Sequence, residues 1–489
     1  MTGFARARLM LPISDSLGRE RRIEDGFVTW KGGVITEVGA FTDEVGLRLL
    51  KEHGELEVMG HSGTRAVSTL DGLTALPGIL MPGFVKCHGH DYEPPLIGLV
   101  KDVPLTAWLD GAVNVFTKFI GERCADLTAM LGEDPHDVAY KKARLDDLSY
   151  GITTSMVHHC NYGKYSVDKL ADANELAGTR MVIAVGGQDR NYFEELLDTV
   201  DEAIERLDRY TANHADRSRV TIIPGPDQLF SNGPEMLKAT KAWARDKGTI
   251  FHCHSSEEAK TTAWFKSEYG QSPVEYAASI GILDEGTILA HQVQTTEDDL
   301  KLLAETGTRI VHNPLANTIL GSGMPPLLEM LERGIKVAIA TDGSGSADNQ
   351  NILAAARLAS QYQKAFRKDA SVLPAQQVLE MITAEAGALL NMKVGQLRQG
   401  YAADFIHIST EPLNLFPTRA CNAMENLIWC ANGDEIDLVV VGGRILRSGA
   451  DNKTIDEVEV RARLAKLCDE FDTYRESAGL DLKGTGAHR

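Results

Sequence analysis

The sequence predicts an α/β fold: a (β/α)8 TIM barrel accompanied by a small discontinuous β-sandwich. Three observations carry this. Eight short, mostly apolar and β-branched runs recur between residues 76 and 343, each followed by room for a helix. These runs are continuous rather than alternating, as strands buried on both faces of a parallel sheet must be. The two flanks of the chain instead show an alternating hairpin pattern. A doubly wound open sheet is the competing arrangement, but eight strand–helix units over about 250 residues match a barrel.

The elements follow in order. Residues 23–39, IEDGFVTWKGGVITEVG, read as a hairpin with a Gly-Gly turn. The barrel strands are expected in LPGILMPGFVKCHGH (76–90), TTSMVHH (153–159), TRMVIAVGG (179–187) and RVTIIPGP (219–226). GTIFHCH (248–254), GTILAHQV (286–293), TRIVHNP (308–314) and KVAIATDG (336–343) complete the set. Intervening stretches such as PEMLKATKAWARDKG and TEDDLKLLAETG have helical periodicity. Near the other end GQLRQGYAADFIHIS and DLVVVGGRILRSG return to the hairpin style. The expected division is 1–75 with 391–450 as the sandwich, 76–390 as the barrel and 451–489 as a C-terminal helical tail. In that tail TIDEVEVRARLAKLCDEFDTYRESAG reads as helix and GLDLKGTGAHR as a frayed end.

Composition narrows the class. With 43% hydrophobic and 24% charged residues the chain reads as a soluble globular protein. No apolar run is long enough to span a bilayer, and the first residues lack the apolar core of a secretion signal. Seven cysteines without repeat spacing point to free thiols in a reducing cytoplasm. A formal charge of −19 with no basic cluster disfavours nucleic acid and anionic membranes as partners. A cytoplasmic enzyme acting on a small molecule is the class that remains.

In such a barrel the functional residues stand at the C-terminal ends of strands. Strand one ends in His88 and His90, strand five in His252-Cys253-His254 followed by Glu257, and strand six in His291. Strand seven ends in His312-Asn313 and strand eight in Asp342. An HxH pair among 14 histidines says little alone. Joined by His254 and Asp342 at the required strand ends, it reads as a grip on a zinc-type ion.

The chain resembles the amidohydrolase superfamily, in its aminohydrolase and chlorohydrolase branch, which includes S-adenosylhomocysteine deaminase-like and guanine deaminase-like enzymes. The motifs are PGFVKCHGH with LIGLVKDVPLTAWL, HCHSSE, AHQV, HNPLANTILGSG and ATDGSGSADNQN. The resemblance implies His88, His90, His254 and Asp342 as metal ligands, Glu257 as proton shuttle and His291 as the residue that polarises the attacking water or the oxyanion. RVTIIPGPDQLF has no lysine where binuclear members carry a bridging one, which implies a single divalent ion. Zinc is expected first, with Fe2+, Mn2+ or Co2+ as alternatives that a His3Asp set also suits. Asp227 stands at a substrate-facing position where many deaminases of the branch have histidine, implying a substrate unlike theirs. The family's habit implies a homo-oligomer.

The activity expected is hydrolytic deamination of a nitrogen heterocycle. Metal-activated hydroxide adds to an sp2 carbon, with Asp342 taking the water's proton and Glu257 protonating the neighbouring ring nitrogen. The alternative is a hydrolase of another C–N, C–S or C–Cl bond, in an amide, urea, carbamothioate or chloro-heterocycle. In the family, related hydrolases that expel chloride or alkylthiolate from activated rings can dispense with this glutamate, so the resemblance makes Glu257 favour deamination. A non-enzymatic binding protein is the third class, and the intact ligand set weighs against it. His158 and His159, with Asp227, are candidate substrate contacts. His252 is expected to point away from His254 and pack behind the site. His312 is expected to shape its turn with Asn313 and Asn317, and Cys87 and Cys253 to act as small buried hydrophobes. His53, His61, His136, His214 and His407 are read as surface or structural.

Overall fold

The computed structural model describes residues 1–479; the frayed end expected after Gly479 lies outside the described residues. The described chain divides into two compact units. One comprises residues 1–86, 146–154 and 351–455; the other takes 87–145, 155–350 and 456 onward.

Eight strands fall where the apolar runs predict them. Phe84–Lys86 (β1), Ile152–His159 (β2), Arg180–Val185 (β3) and Val220–Pro224 (β4) make a four-stranded sheet in the order β4-β3-β2-β1. Phe251–Ser255 (β5), Thr287–His291 (β6), Arg309–His312 (β7) and Val337–Ile339 (β8) make another in the order β5-β6-β7-β8. The β3–β4, β5–β6, β6–β7 and β7–β8 pairings are parallel. β2 and β5 to β8 are buried at every residue, which is why their sequences run apolar without alternation. A parallel bridge from Gln228 to His254 ties the loop after β4 to β5.

One expectation needs correction. The run from residue 76 is two strands. Leu76–Pro82 joins a ten-stranded sheet, and only Phe84–Lys86 joins the four-stranded sheet beside β2. The break falls at Gly83, where a Cβ would stand 2.2 Å from Thr153 Oγ1. Pro82 just before it has no N–H to donate to a ladder.

The ten-stranded sheet draws on both flanks. Thr2–Met10 pairs antiparallel with Ile23–Lys31 and parallel with Leu76–Pro82. Leu76–Pro82 pairs on its other side with Phe405–Ile408, Leu80 opposite His407. Trp30 and Phe405 meet there with ring centroids 5.3 Å apart. The hairpin after Ile23–Lys31 turns at Gly32 and Gly33, with φ of 58° and 78°, as a two-residue turn with both φ positive requires. His407 is buried and donates through Nδ1 to Asp437 Oδ1 at 2.6 Å.

The helices expected after 234 and 296 are Pro234–Asp246 and Glu297–Thr306. The second opens on a capping box between Thr296 and Asp299. Helix Glu457–Ser477 lays Phe471 against Phe116 and Phe119 of helix Asn114–Leu131, with centroids 5.1 and 5.2 Å apart. No described helix is long and apolar enough to cross a membrane. All seven cysteines are free thiols.

Candidate metal centre

The strand ends bring four of the expected residues to one point. His90 Nε2 lies 3.3 Å from His254 Nε2. Asp342 Oδ1 lies 3.4 Å from both His88 Nε2 and His90 Nε2. Spacings of this size are those of donor atoms arranged around one small ion with bonds of about 2.0–2.2 Å. All four side chains are buried.

Hydrogen bonds on the far side of each ring settle which nitrogen faces inward. His90 Nδ1–H donates to the His158 carbonyl at 3.1 Å, and His254 Nδ1–H to the Asp227 carbonyl at 2.6 Å. His88 uses a longer chain. His252 Nδ1–H donates to the Ile288 carbonyl at 3.1 Å, which leaves His252 Nε2 an acceptor for His88 Nδ1–H at 2.9 Å. Each of the three ligand candidates thus turns a bare Nε2 lone pair toward the common point. The Nε2 of His88 is buried and has no hydrogen-bond partner. Burial holds the His88 imidazole well below its usual pKa, Asp342 pulling the other way and His254 and His90 adding to the depression. A cluster of bare imidazole nitrogens plus a carboxylate is the donor set of a zinc-type site, so the residues fit the ion.

Two carboxyl groups here behave oppositely. Burial opposes ionisation of Asp342, but His88, His291 and His90 around it hold its carboxyl well below the usual range. Burial pushes Glu257 up to about 8, against the pull of His254 and with help from Asp342, Glu258 and Asp227. Divergent carboxyls in one site are the signature of divided acid and base roles. His291 donates Nδ1–H to Asn317 Oδ1 at 2.8 Å. Its Nε2 then faces Glu257 Oε2 at 3.6 Å and Asp342 Oδ2 at 3.7 Å. His291 and Asp342 both have positive φ, 75° and 76°, the kind of backbone strain that gathers at functional sites.

A cavity of about 310 Å3 opens over this centre. His90, His254, Glu257, His291, Asp342 and Asp227 are among its lining residues, and neither His158 nor His159 is. His158 stacks on His254 at 4.6 Å and donates Nε2–H to the Gly225 carbonyl at 2.6 Å. His159 is buried beside the Gly163 carbonyl, 3.2 Å away, and the Tyr140 hydroxyl. Asn317 serves His291, as does Asn313 at the outer limit of hydrogen bonding, 3.5 Å. Cys87 and Cys253 are fully buried.

The reading of His252 fails in its geometry. Residues two apart in a strand share a face, so His252 lies on the same side as His254, one layer deeper and against His88.

Two acids after His90 went unread. Asp91 forms a buried ion pair with Arg144, whose Nη1 also donates to Ser155 Oγ at 2.7 Å. Glu93, 1% exposed, receives the N–H groups of Gly345 and Ser346, both at 2.8 Å, on Oε2. It therefore fixes the loop that follows Asp342. The available signal was two carboxylates directly after a ligand pair, in DYEPP.

Comparison with known proteins agrees with this geometry. Residues 79–446 match the family described as "Amidohydrolase family". A Haloarcula marismortui protein named 5-methylthioadenosine/S-adenosylhomocysteine deaminase is 30% identical over 450 residues, 89% of this chain and 96% of its own. A zinc-bound adenosine deaminase structure from Xanthomonas campestris superposes with a TM-score of 0.83 at 22% identity, covering 96% of this chain and 98% of that one. Atrazine chlorohydrolase from Arthrobacter aurescens TC1, complexed with zinc, gives 0.82 at 22% identity, covering 95% and 99%. The α/β architecture is accordingly of the TIM-barrel type, and the chain belongs to the amidohydrolase family.

Proposed function

We propose that this chain is a metal-dependent hydrolytic deaminase of a nitrogen heterocycle. The observation that carries the reading is the pairing of a buried, raised-pKa Glu257 with the donor set of His88, His90, His254 and Asp342. The relatives named as deaminases support it. In this reading those four residues hold one divalent ion, zinc first, and β4 with its following loop offers no lysine for a second. The ion supplies an activated water at neutral pH.

The chain's own groups divide the proton work. Asp342 Oδ1 faces the histidines, while Oδ2, on the side of His291, is placed to take the water's proton. His291 Nε2, a lone pair once Nδ1–H is spent on Asn317, accepts a hydrogen bond from the same water and fixes its direction. Glu257, protonated at neutral pH, gives its proton to the ring nitrogen beside the attacked carbon. Asp342 then passes the proton it took to the amine, which departs as ammonia, and the hydroxyl proton of the intermediate returns to Glu257 as the carbonyl forms. Asp227 lines the cavity and meets the substrate; His158 and His159 shape the layer beneath. Around this site we propose a closed eight-stranded barrel, with a two-layer sandwich built from residues 1–75 and 391–450. The free thiols suit a cytoplasmic enzyme.

Ammonia release by the zinc-loaded enzyme from purines, pterins, pyrimidines and triazines tests the activity. Release from at least one amine and no chloride from chlorinated analogues is expected. Chloride without ammonia would move the reading to the dehalogenating hydrolase.

A further inference from the structure

The walls of the cavity are one-sided in charge. Glu93, Asp110, Asp227, Glu257, Glu258 and Asp342 all contribute to the lining. Lys260 is the one lysine or arginine among the lining residues, and it stands exposed in the first turn of helix Ala259–Tyr269. Four of the acids are more than nine-tenths buried, Glu93 and Asp342 the most deeply.

Internal partners cover only part of this charge. Asp342 has the histidines, Glu93 the amides of Gly345 and Ser346, and Asp110 the Asn114 amide at 3.0 Å. Glu258 accepts Thr106 Oγ1–H at 2.6 Å on one oxygen. Glu257, held neutral by burial, adds no charge; it makes no hydrogen bond among the described residues, and His291 Nε2 stands 3.6 Å from its Oε2. The Asp227 carboxylate stands 3.7 Å from His254 Nδ1, which is committed to the Asp227 carbonyl. Buried carboxylates are costly without positive charge or N–H donors to meet them. One divalent ion would answer Asp342, the amides answer Glu93 and Glu257 is neutral, which leaves the Asp227 carboxylate and the second oxygen of Glu258 facing the space that a substrate fills. Tyr92, Trp108, Tyr192, Phe230 and Trp264 supply ring surface in the same walls, suited to a flat ring and more so to a flat cation.

We propose that the substrate is a flat amino-heterocycle, cationic or rich in N–H donors, that carries no phosphate, sulfonate or carboxylate. A base or its neutral nucleoside is accepted and the corresponding nucleotide refused. The reaction in this statement rests on the deaminase reading; the charge rule rests on the walls alone.

Two measurements separate the parts. Quinoline, N-methylquinolinium and a quinoline sulfonate lack a leaving amine, and their binding to the zinc-loaded enzyme is read from tryptophan quenching. The cation should bind about tenfold or more tighter than neutral quinoline and the sulfonate at least about tenfold weaker, since like charges in contact discriminate strongly. A sulfonate that binds as well as quinoline overturns the charge rule. The second measurement compares ammonia release from nucleosides and their 5′-monophosphates, for which kcat/KM should fall by about 100-fold or more. Equal turnover of nucleoside and monophosphate sinks the charge rule and leaves the deaminase standing. A preserved cation preference with no ammonia from any amine does the reverse.

Discussion

His252 shows how one side chain acts through another. Its Nε2 accepts the hydrogen bond of His88 Nδ1–H, which in the proposed centre leaves His88 Nε2 as a bare lone pair for the ion. His254→Ala should abolish tight zinc binding, because one of four protein donors is gone. His252→Ala should keep the ion but weaken it about 10–100-fold, the usual worth of a ligand's outer partner. Competition with a chromophoric chelator measures both, and equal losses would place His252 in the ligand sphere itself. Glu257→Gln should retain zinc and substrate binding while kcat falls about 10²–10⁴-fold. Near-normal turnover by that variant on an amine substrate would refute the acid role. The residues at the common point were legible in the sequence because each sits at a strand end, where the motif and the topology agree. The relay through His252 was not, since it depends on ring directions and on a carbonyl of a different strand.

At the scale of elements, continuous apolar runs marked all eight strands, because burial on both faces leaves little polar alternation to confuse them. The same signal hid the break at Gly83, for apolar residues fill both the sheet before it and the sheet after it. Gly83→Ala should be destabilising by about 1–3 kcal/mol, the cost of forcing atoms into a packed core. The new methyl would meet Thr153 at Oγ1 and Cγ2, 2.2 and 2.3 Å away. Urea midpoints of Gly83→Ala alone and with Thr153→Ala measure this, and the double variant should recover part of the loss. If Thr153→Ala recovers nothing, the clash is not the cause. Glu93 escaped notice for a related reason. Its role is to receive backbone amides of a loop some 250 positions later, and no local pattern records that.

At the scale of the molecule, buried neutral histidines set the acid limit of stability. Burial drives both His159 and His312 down to about 3. Between that value and the unfolded value near 6.5 the unfolded chain binds protons that the folded chain excludes. Stability is therefore whole above pH 6.5 and falls as pH drops below it, by up to about 1.4 kcal/mol per pH unit for each histidine. Thermal melts from pH 7 to 4 should show Tm falling, and His312→Asn, if it folds, should flatten the slope. A Tm independent of pH across that range refutes the account. Helix Glu457–Ser477 has another consequence. Its Leu467 and Phe471 are fully buried, with Phe471 against Phe116 and Phe119, so the unit with the candidate metal centre closes part of its core with residues several hundred positions after the rings they cover. On the ribosome, the nascent chain carries that core open while the several hundred residues between these two helices emerge, and it completes the core only when Glu457–Ser477 clears the exit tunnel. For that interval the growing polypeptide presents bare aromatic rings that a chaperone would cover.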